Sequence, residues 1–397
     1  MDKKRILFIV PSLTGGGAEK TVVNLSNLLK DKFDITIVTF FEDTNPDVNV
    51  RVINMWKKPK NSFEKIFGFI KKISELSKIK KEYKFDYSIS FLDGPSFYNV
   101  LTKKNDKTII SIRNKMSSQT KTLFLKMRLK YTLKKADKIV SLSKMVKKDL
   151  ADNYDVNPSK IITIYNPVNI DTIENKSNIE VDDIIKEKVK NKKVIINIGR
   201  LCYQKGQWHL INSFKKIHNK YNDTVLLILG VGENEKELKK LVDRLDLSKD
   251  VIFAGYVENP YSYISISDIF VFPSIFEGLG NALIEACAVG IPIISTDCKY
   301  GPREILAPQT DLNEQSTEVE LAQYGILIPP YIDDRNSINK TNEKDKDYLE
   351  KAISLLLSNQ EIFEKYKKQS KVCAKRFDED KIREEWLLLL EGEDKNE

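Results

Sequence analysis

The sequence predicts an α/β protein of two doubly wound, parallel-sheet domains that face a cleft. Three observations carry this reading. The chain has 397 residues, more than one ordinary core accommodates at roughly 100–200 residues per domain. Short runs that are apolar on both faces alternate with helical stretches, as strands do in parallel sheets covered on both sides. The alternation then restarts after "IYNPVNID", Ile164 to Asp171.

In the first half, "RILFIVPS" reads as a strand, "GGGAEKTVVNLSNLLK" as a helix and "FDITIVTF" as a strand. "YSISFLD", "KTIISIRN", "DKIVSLS" and "KIITIYNPV" continue the strands. The second half repeats the pattern with "KKVIINIGRL", "TVLLILGVGE", "VIFAGYV", "IFVFPS" and "IPIISTD". Between the halves, Glu174 to Lys193 is polar and suits a linker followed by an early helix. The domains are therefore placed at residues 1–168 and 169–379. A last helix over 380–397 carries Trp386 to Leu390, whose burial requires a partner; packing back on the first domain supplies one. Ala307 to Gln323 reads as an insertion or surface loop, and "YIDDRNSINKTNEKDKDY" as a polar, mobile one.

Composition narrows the class. At 41% hydrophobic and 31% charged, the chain is neither disordered nor collagen-like. The apolar run Ile6 to Val10 is shorter than a signal peptide's, and no segment approaches the ~18 apolar residues of a membrane span. A cytoplasmic location follows as the expectation. Cys202, Cys287, Cys298 and Cys373 are scattered without metal-site spacing and read as reduced and structural. The net charge of +8 is uneven: the stretch 113–135 holds eight Lys or Arg and no Asp or Glu, interleaved with Leu123, Phe124, Leu125, Met127, Leu129, Tyr131 and Leu133. Such a stretch suits an anionic membrane surface or, equally, a solvated helix face. Nucleic acid is not expected, because no binding motif accompanies the charge.

Ligands of open α/β sheets bind past the carboxyl ends of strands. After the first strand, Gly15, Gly16 and Gly17 open a helix whose amino end suits a phosphate; a plain tight turn reads equally well. After the first strand of the second domain, Arg200 and Lys205 share a loop with Gly199 and Gly206. Arginine grips phosphate through two hydrogen bonds and lysine adds a point charge, although exposed basic loop residues are common. After "IFVFPS", Glu277, Gly278, Leu279 and Gly280 form a loop, and Asn281 starts a helix. Glu285 lies about one turn in and can accept bonds from two neighbouring hydroxyls, as on a ribose. A salt bridge for Glu285 and an acidic helix start for Glu277 are the alternatives.

"GRLCYQKG" together with "SDIFVFPSIFEGLGNALIEACAVGIPIISTD" resembles the retaining, nucleotide-sugar-dependent glycosyltransferases of family four, which have the GT-B fold. The likeness continues through "LFIVPSLTGGGAEK", "KADKIVSLS", "IYNPVN", "LLILGVGENEKEL" and "FAGYVENPYSYISISDIF", from Arg5 to about Ile328. It implies that Arg200 and Lys205 hold a donor diphosphate, that Glu285 bonds the ribose and that Glu277 lies beside the donor sugar. Backbone amides from Gly278 through Leu279 and Gly280 to Asn281 would meet sugar or phosphate. Gly16 and Gly17 would close over the diphosphate, and the base would stack near Tyr256 and Val257.

The implied reaction transfers a sugar from a UDP-sugar to an acceptor hydroxyl with anomeric retention. No metal or other cofactor is expected, since two cations and two helix amino ends offset the diphosphate's charge. Relatives carry a histidine after a first-domain strand where this chain holds Arg113, which can stabilise negative charge or bind an anionic acceptor but cannot act as a base. Asp93 is the nearest base candidate, with turn capping as its other role. "DCKYGPREIL" is similar to the subgroup that assembles bacterial surface glycans on polyprenyl diphosphate lipids, with Arg303 and Glu304 beside the donor pocket. A lipid-linked acceptor would place the enzyme on the inner face of the cell membrane through the stretch 113–135, where each Lys or Arg contributes ~1 kcal/mol near anionic lipid. An epimerase acting on the free donor and a non-catalytic nucleotide-sugar sensor are the competing classes.

Overall fold

The computed structural model describes residues 3–14, 17–41, 45, 47–55, 62–114, 116–119, 122–331 and 347–392, the side chains of 62–67, 118 and 119 apart. Two units divide the chain: residues 1–167 with 379–397, and residues 168–378. The 332–346 part of the polar loop lies outside the described residues.

The first unit holds β1 (Arg5–Val10), β2 (Asp34–Thr39), β3 (Arg51–Asn54), β4 (Tyr87–Phe91), β5 (Lys107–Ile112), β6 (Lys138–Ser141) and β7 (Ile161–Thr163). They form one sheet in the order β3-β2-β1-β4-β5-β6-β7, with every pair parallel. Central strands covered on both faces cannot alternate polar and apolar residues, which is why β1 is buried from Ile6 to Val10. The short β3, "RVIN", was not singled out by the sequence reading; it is an edge strand with partly exposed ends and carries little apolar signal.

The second unit repeats the plan with β8 (Lys193–Ile198), β9 (Thr224–Leu229), β10 (Val251–Gly255), β11 (Ile269–Phe272), β12 (Ile293–Thr296), β13 (Glu320–Leu321) and β14 (Ile326–Ile328). The order is β10-β9-β8-β11-β12-β14-β13, parallel except for the antiparallel β13–β14 pair. Each sheet's order reverses between two central strands, β1 and β4 in the first and β8 and β11 in the second, and the second turns again at its antiparallel edge strand β13. The central reversals are the switch points at which flanking loops diverge and leave a crevice.

The last helix, Glu379–Glu391, belongs to the first unit. Its Ile382, Trp386 and Leu390 enter one core with Phe8 of β1, Ile37 of β2 and Leu25 and Leu29 of the helix Gly17–Leu29. The Tyr87 hydroxyl donates to Leu390 O at 2.6 Å, and Arg383 grips Leu28 O and Asp31 at 3.0 and 2.6 Å. Burial of Trp386 thus has a sequence-distant partner, and polar contacts fix the helix's register.

In the expected insertion, residues 307–323, a buried polar cluster takes the place of a free loop. Arg303 is 7% exposed; it bonds Asp297 at 2.5 Å, Glu320 at 2.6 Å and Ser316 at 3.0 Å. The guanidinium therefore clamps this segment to the end of β12.

Two loops meet at the switch point of the second sheet only because Gly206 lacks a side chain. Its φ is 63°, and a Cβ there would lie 2.2 Å from Pro273 O. Gly206→Ala should therefore lower the melting temperature by several degrees, since the left-handed conformation alone costs ~1–2 kcal/mol. Gly94→Ala, where a Cβ meets nothing within 4 Å inside the helix Asp93–Leu101, should leave it unchanged or raised. Thermal unfolding of the two variants checks the contrast.

Candidate active site

The site is built first from the end of β8. The strand's last bonds run into the turn, where Gly199 N donates to Leu229 O at 3.0 Å and Leu201 N to Val231 O at 3.0 Å. A Cβ on Gly230 would sit 2.1 Å from Gly199 O, and one on Gly232 would sit 2.3 Å from Leu201 O. The pair "GVG" thus lets the β9 loop press against the β8 loop. Arg200 is left exposed, and Lys205 is carried on a single helical turn, Tyr203–Lys205.

The adjacent strand β11 supplies the other half. Lys205 Nζ lies 2.6 Å from Glu277 Oε1, with the carboxylate side chain only 7% exposed. Gln204 Nε2 donates to Glu277 Oε2 at 3.3 Å and to Phe276 O at 2.9 Å, and Ile275 N donates to Gln204 O at 2.9 Å. Lys205 Nζ also stands 5.1 Å above the Phe272 ring. Glu277 is therefore held by a cation and an amide, as a nearly buried carboxylate requires. It is not a helix start, because the helix begins later, at Asn281. Burial, and secondarily the Glu277 charge, pushes the Cys298 thiol far above its ordinary pKa, so that cysteine is inert.

The helix Asn281–Val289 starts four residues after Glu277. Gly280, with φ 93°, precedes it, and no side chain caps it. Such an end carries partial positive charge and unpaired N–H groups. Gly278 is half-buried, while Leu279 is buried under the loop. Glu285 lies one turn in and is half-buried; its charge, after burial itself, helps to raise the pKa of the Tyr261 phenol. At the end of β10, Tyr256 is 78% exposed and Val257 half-buried. Within the second unit the fold thus gathers Arg200, Lys205, Glu277, Gly278 to Asn281 and Glu285 along one sheet edge. Gln204, Tyr261, Gly230 and Gly232 were missed. The glycines were legible as a pair just past a strand; Gln204 and Tyr261 carry no local signal.

The first unit holds the remaining candidates. Gly17 opens the helix Gly17–Leu29 and is exposed, whereas Gly16 lies outside the described residues. Asp93 begins the helix Asp93–Leu101, directly after Leu92, whose φ of 73° is rare for a bulky residue and marks local strain. The Asp93 carboxylate is ion-paired with Arg128. Arg113, at the end of β5, is buried. Lys115 and Lys121 of the basic stretch lie outside the described residues; its core is the helix Leu123–Lys135, which buries Leu129 and Leu133.

Comparisons with known proteins agree with this geometry. Residues 15–172 match the family model described as Glycosyltransferase Family 4, and residues 178–333 that described as Glycosyl transferases group 1. An uncharacterized glycosyltransferase of Methanocaldococcus jannaschii is 34% identical over 86% of this chain and 88% of its own length. The Campylobacter jejuni N-acetylgalactosamine-N,N'-diacetylbacillosaminyl-diphospho-undecaprenol 4-alpha-N-acetylgalactosaminyltransferase is 27% identical over 98% of this chain and 100% of its own. Among solved structures, Anabaena HepE in complex with UDP shares the fold at a TM-score of 0.78 and 15% identity, covering 98% of this chain and 100% of that one. With a strand-end cation pair, a carboxylate beside it and these relatives, the chain belongs to the family 4 glycosyltransferases of GT-B fold.

Proposed function

We propose that the protein moves a hexose or N-acetylhexosamine from a UDP-sugar to a hydroxyl of a lipid-linked glycan, with retention at the anomeric carbon. The observation that carries this reading is the convergence of Arg200, Lys205, Glu277 and the amino end of the helix Asn281–Val289 at one switch point. The Campylobacter relative, named for transfer to a diphospho-undecaprenol-linked sugar, and HepE, solved with UDP, support the substrate classes.

In this reading, Arg200 and Lys205 hold the diphosphate. Lys205 exchanges part of its contact with Glu277 for a phosphate oxygen, which frees the carboxylate for a donor-sugar hydroxyl. Glu285 accepts from the ribose hydroxyls, and Tyr256 offers a face to the base. The bond from the anomeric carbon to the phosphate oxygen breaks as the acceptor oxygen adds to the same face. The acceptor's proton passes to the leaving phosphate oxygen. Two cations and a helix amino end stabilise that leaving group, so no metal is required.

The helix Leu123–Lys135 serves as the contact with the acceptor's bilayer. Leu123 and Phe124 are 74% and 73% exposed, and Lys126, Lys130, Lys134 and Lys135 share the helix with no acid. Exposed apolar residues beside cations suit an anionic lipid surface. No helix among the described residues is long and apolar enough to cross a membrane.

Turnover should require a lipid-linked acceptor, persist in EDTA and yield a product with the donor's anomeric configuration by proton NMR. Arg200→Ala, Lys205→Ala and Glu277→Ala should each lower kcat/KM by ~10²–10³. UDP-sugar conversion without acceptor would favour an epimerase, and full turnover in Arg200→Ala would refute the site. In co-sedimentation with phosphatidylglycerol vesicles, Leu123→Ser with Phe124→Ser should weaken binding at least ~10-fold, whereas undiminished binding would exclude this helix as the contact.

A further inference from the structure

Among the described residues, the buried cations Lys80 and Arg303 are paired with acids and Arg113 is not. Lys80, 3% exposed, lies 2.9 Å from Asp106. Arg303 lies 2.5 Å from Asp297 and 2.6 Å from Glu320. Arg113 is just as deeply placed, at 6% exposed, yet its contacts are hydroxyls. Nη1 donates to Ser111 Oγ at 3.3 Å and Nη2 to Thr21 Oγ1 at 3.1 Å, and no carboxylate among the described residues pairs with it. An isolated charge this far from water is costly. Burial alone pushes its pKa down to about 9, which leaves it cationic at neutral pH.

The surroundings fit a binding site better than a scaffold. Thr21 Oγ1 lies 2.7 Å from Gly17 O and 3.2 Å from Asn166 Oδ1, acceptors for its single proton, so a lone pair is turned to the guanidinium. The two hydroxyls thus orient the arginine without neutralising it, and among the described residues they are its side-chain hydrogen-bond partners. Arg113 follows β5 at the carboxyl edge of the first sheet, beside the first turns of the helix Gly17–Leu29. A planar fork of this kind matches the two oxygens of a carboxylate or phosphate.

We propose that Arg113, oriented by Thr21 and Ser111, binds an oxyanion, a carboxylate or phosphate, carried by a glycan substrate. That the oxyanion belongs to a glycan rests on the transferase reading; the oxyanion site itself does not. The site makes the enzyme selective for a charged substrate, such as a sugar acid or a phosphate-bearing lipid-linked glycan.

The test is thermal unfolding of the full chain carrying Arg200→Ala, which removes the diphosphate grip of the second unit. At constant ionic strength, sodium glucuronate or inorganic phosphate should raise the melting temperature by at least ~2 °C over chloride. Adding Arg113→Met should abolish the rise, and Arg113→Lys should keep part of it. A rise with glucuronate alone assigns a sugar carboxylate, and a rise with phosphate alone assigns a phosphate group. Without anion, Arg113→Met should be at least as stable as its parent, because an apolar group replaces a buried charge that has no acid partner. No rise with either anion, an equal rise in Arg113→Met, or a fall of more than ~5 °C in anion-free Arg113→Met would overturn the proposal. If UDP fails to bind the unmodified chain while the anion shift persists, the transferase reading fails and the oxyanion site stands.

Discussion

Parallel pairing of β8 with β11 is the constraint on which the candidate site depends. Ile195 and Ile196 face Ile269 and Phe270 in register, so both strands end on the same sheet edge. Residues 72 apart in sequence, Lys205 and Glu277, then meet at 2.6 Å. A slip of one residue would turn every side chain of β11 to the opposite face and aim the following loop elsewhere. Apolar burial on both faces fixes that register, so the same side chains that make the core also place the chemistry. The first unit obeys the same rule, with the loops after β1, β4 and β5 on one edge of its sheet.

Buried polar groups divide into those that are satisfied and those that are not, and the division separates scaffold from site. Lys80 bonds Asn99 Oδ1 at 2.7 Å as well as Asp106 and Ser88, and Arg303 bonds four side chains. Removing one member of such a set leaves a charge stranded, which makes these clusters structural. Glu277 is satisfied by Lys205 and Gln204, but on loops at a sheet edge, where a diphosphate can compete for the lysine. Arg113 has no acid partner among the described residues. Left-handed backbone lies at the carboxyl edge of each sheet, at Leu92 after β4 in the first and at Gly206 and Gly280 after β8 and β11 in the second.

Much of this was legible in the sequence, because strands buried on both faces read as continuous apolar runs: "LFIV", "VIIN", "VLLIL" and "IFVF" all lie in strands. The loops after them could be located for the same reason, and with them the strand-end positions of Arg200, Lys205, Glu277 and Glu285. Pairings were not legible. Lys205 with Glu277, Arg128 with Asp93, and Arg303 with Asp297 and Glu320 are the pairings that the structure adds. Each depends on a contact between side chains on separate elements, which periodicity does not encode. Edge strands β3 and β13 escaped for a different reason, being short and partly exposed.

The central claim is that the carboxyl edge of the second sheet grips a nucleoside diphosphate through Arg200 and Lys205. Calorimetric titration with UDP measures it most directly. The account predicts one site per chain, with affinity reduced at least ~30-fold, or ~2 kcal/mol, in both Arg200→Ala and Lys205→Ala. UDP binding of equal strength in those variants, or no UDP binding at all, would contradict it.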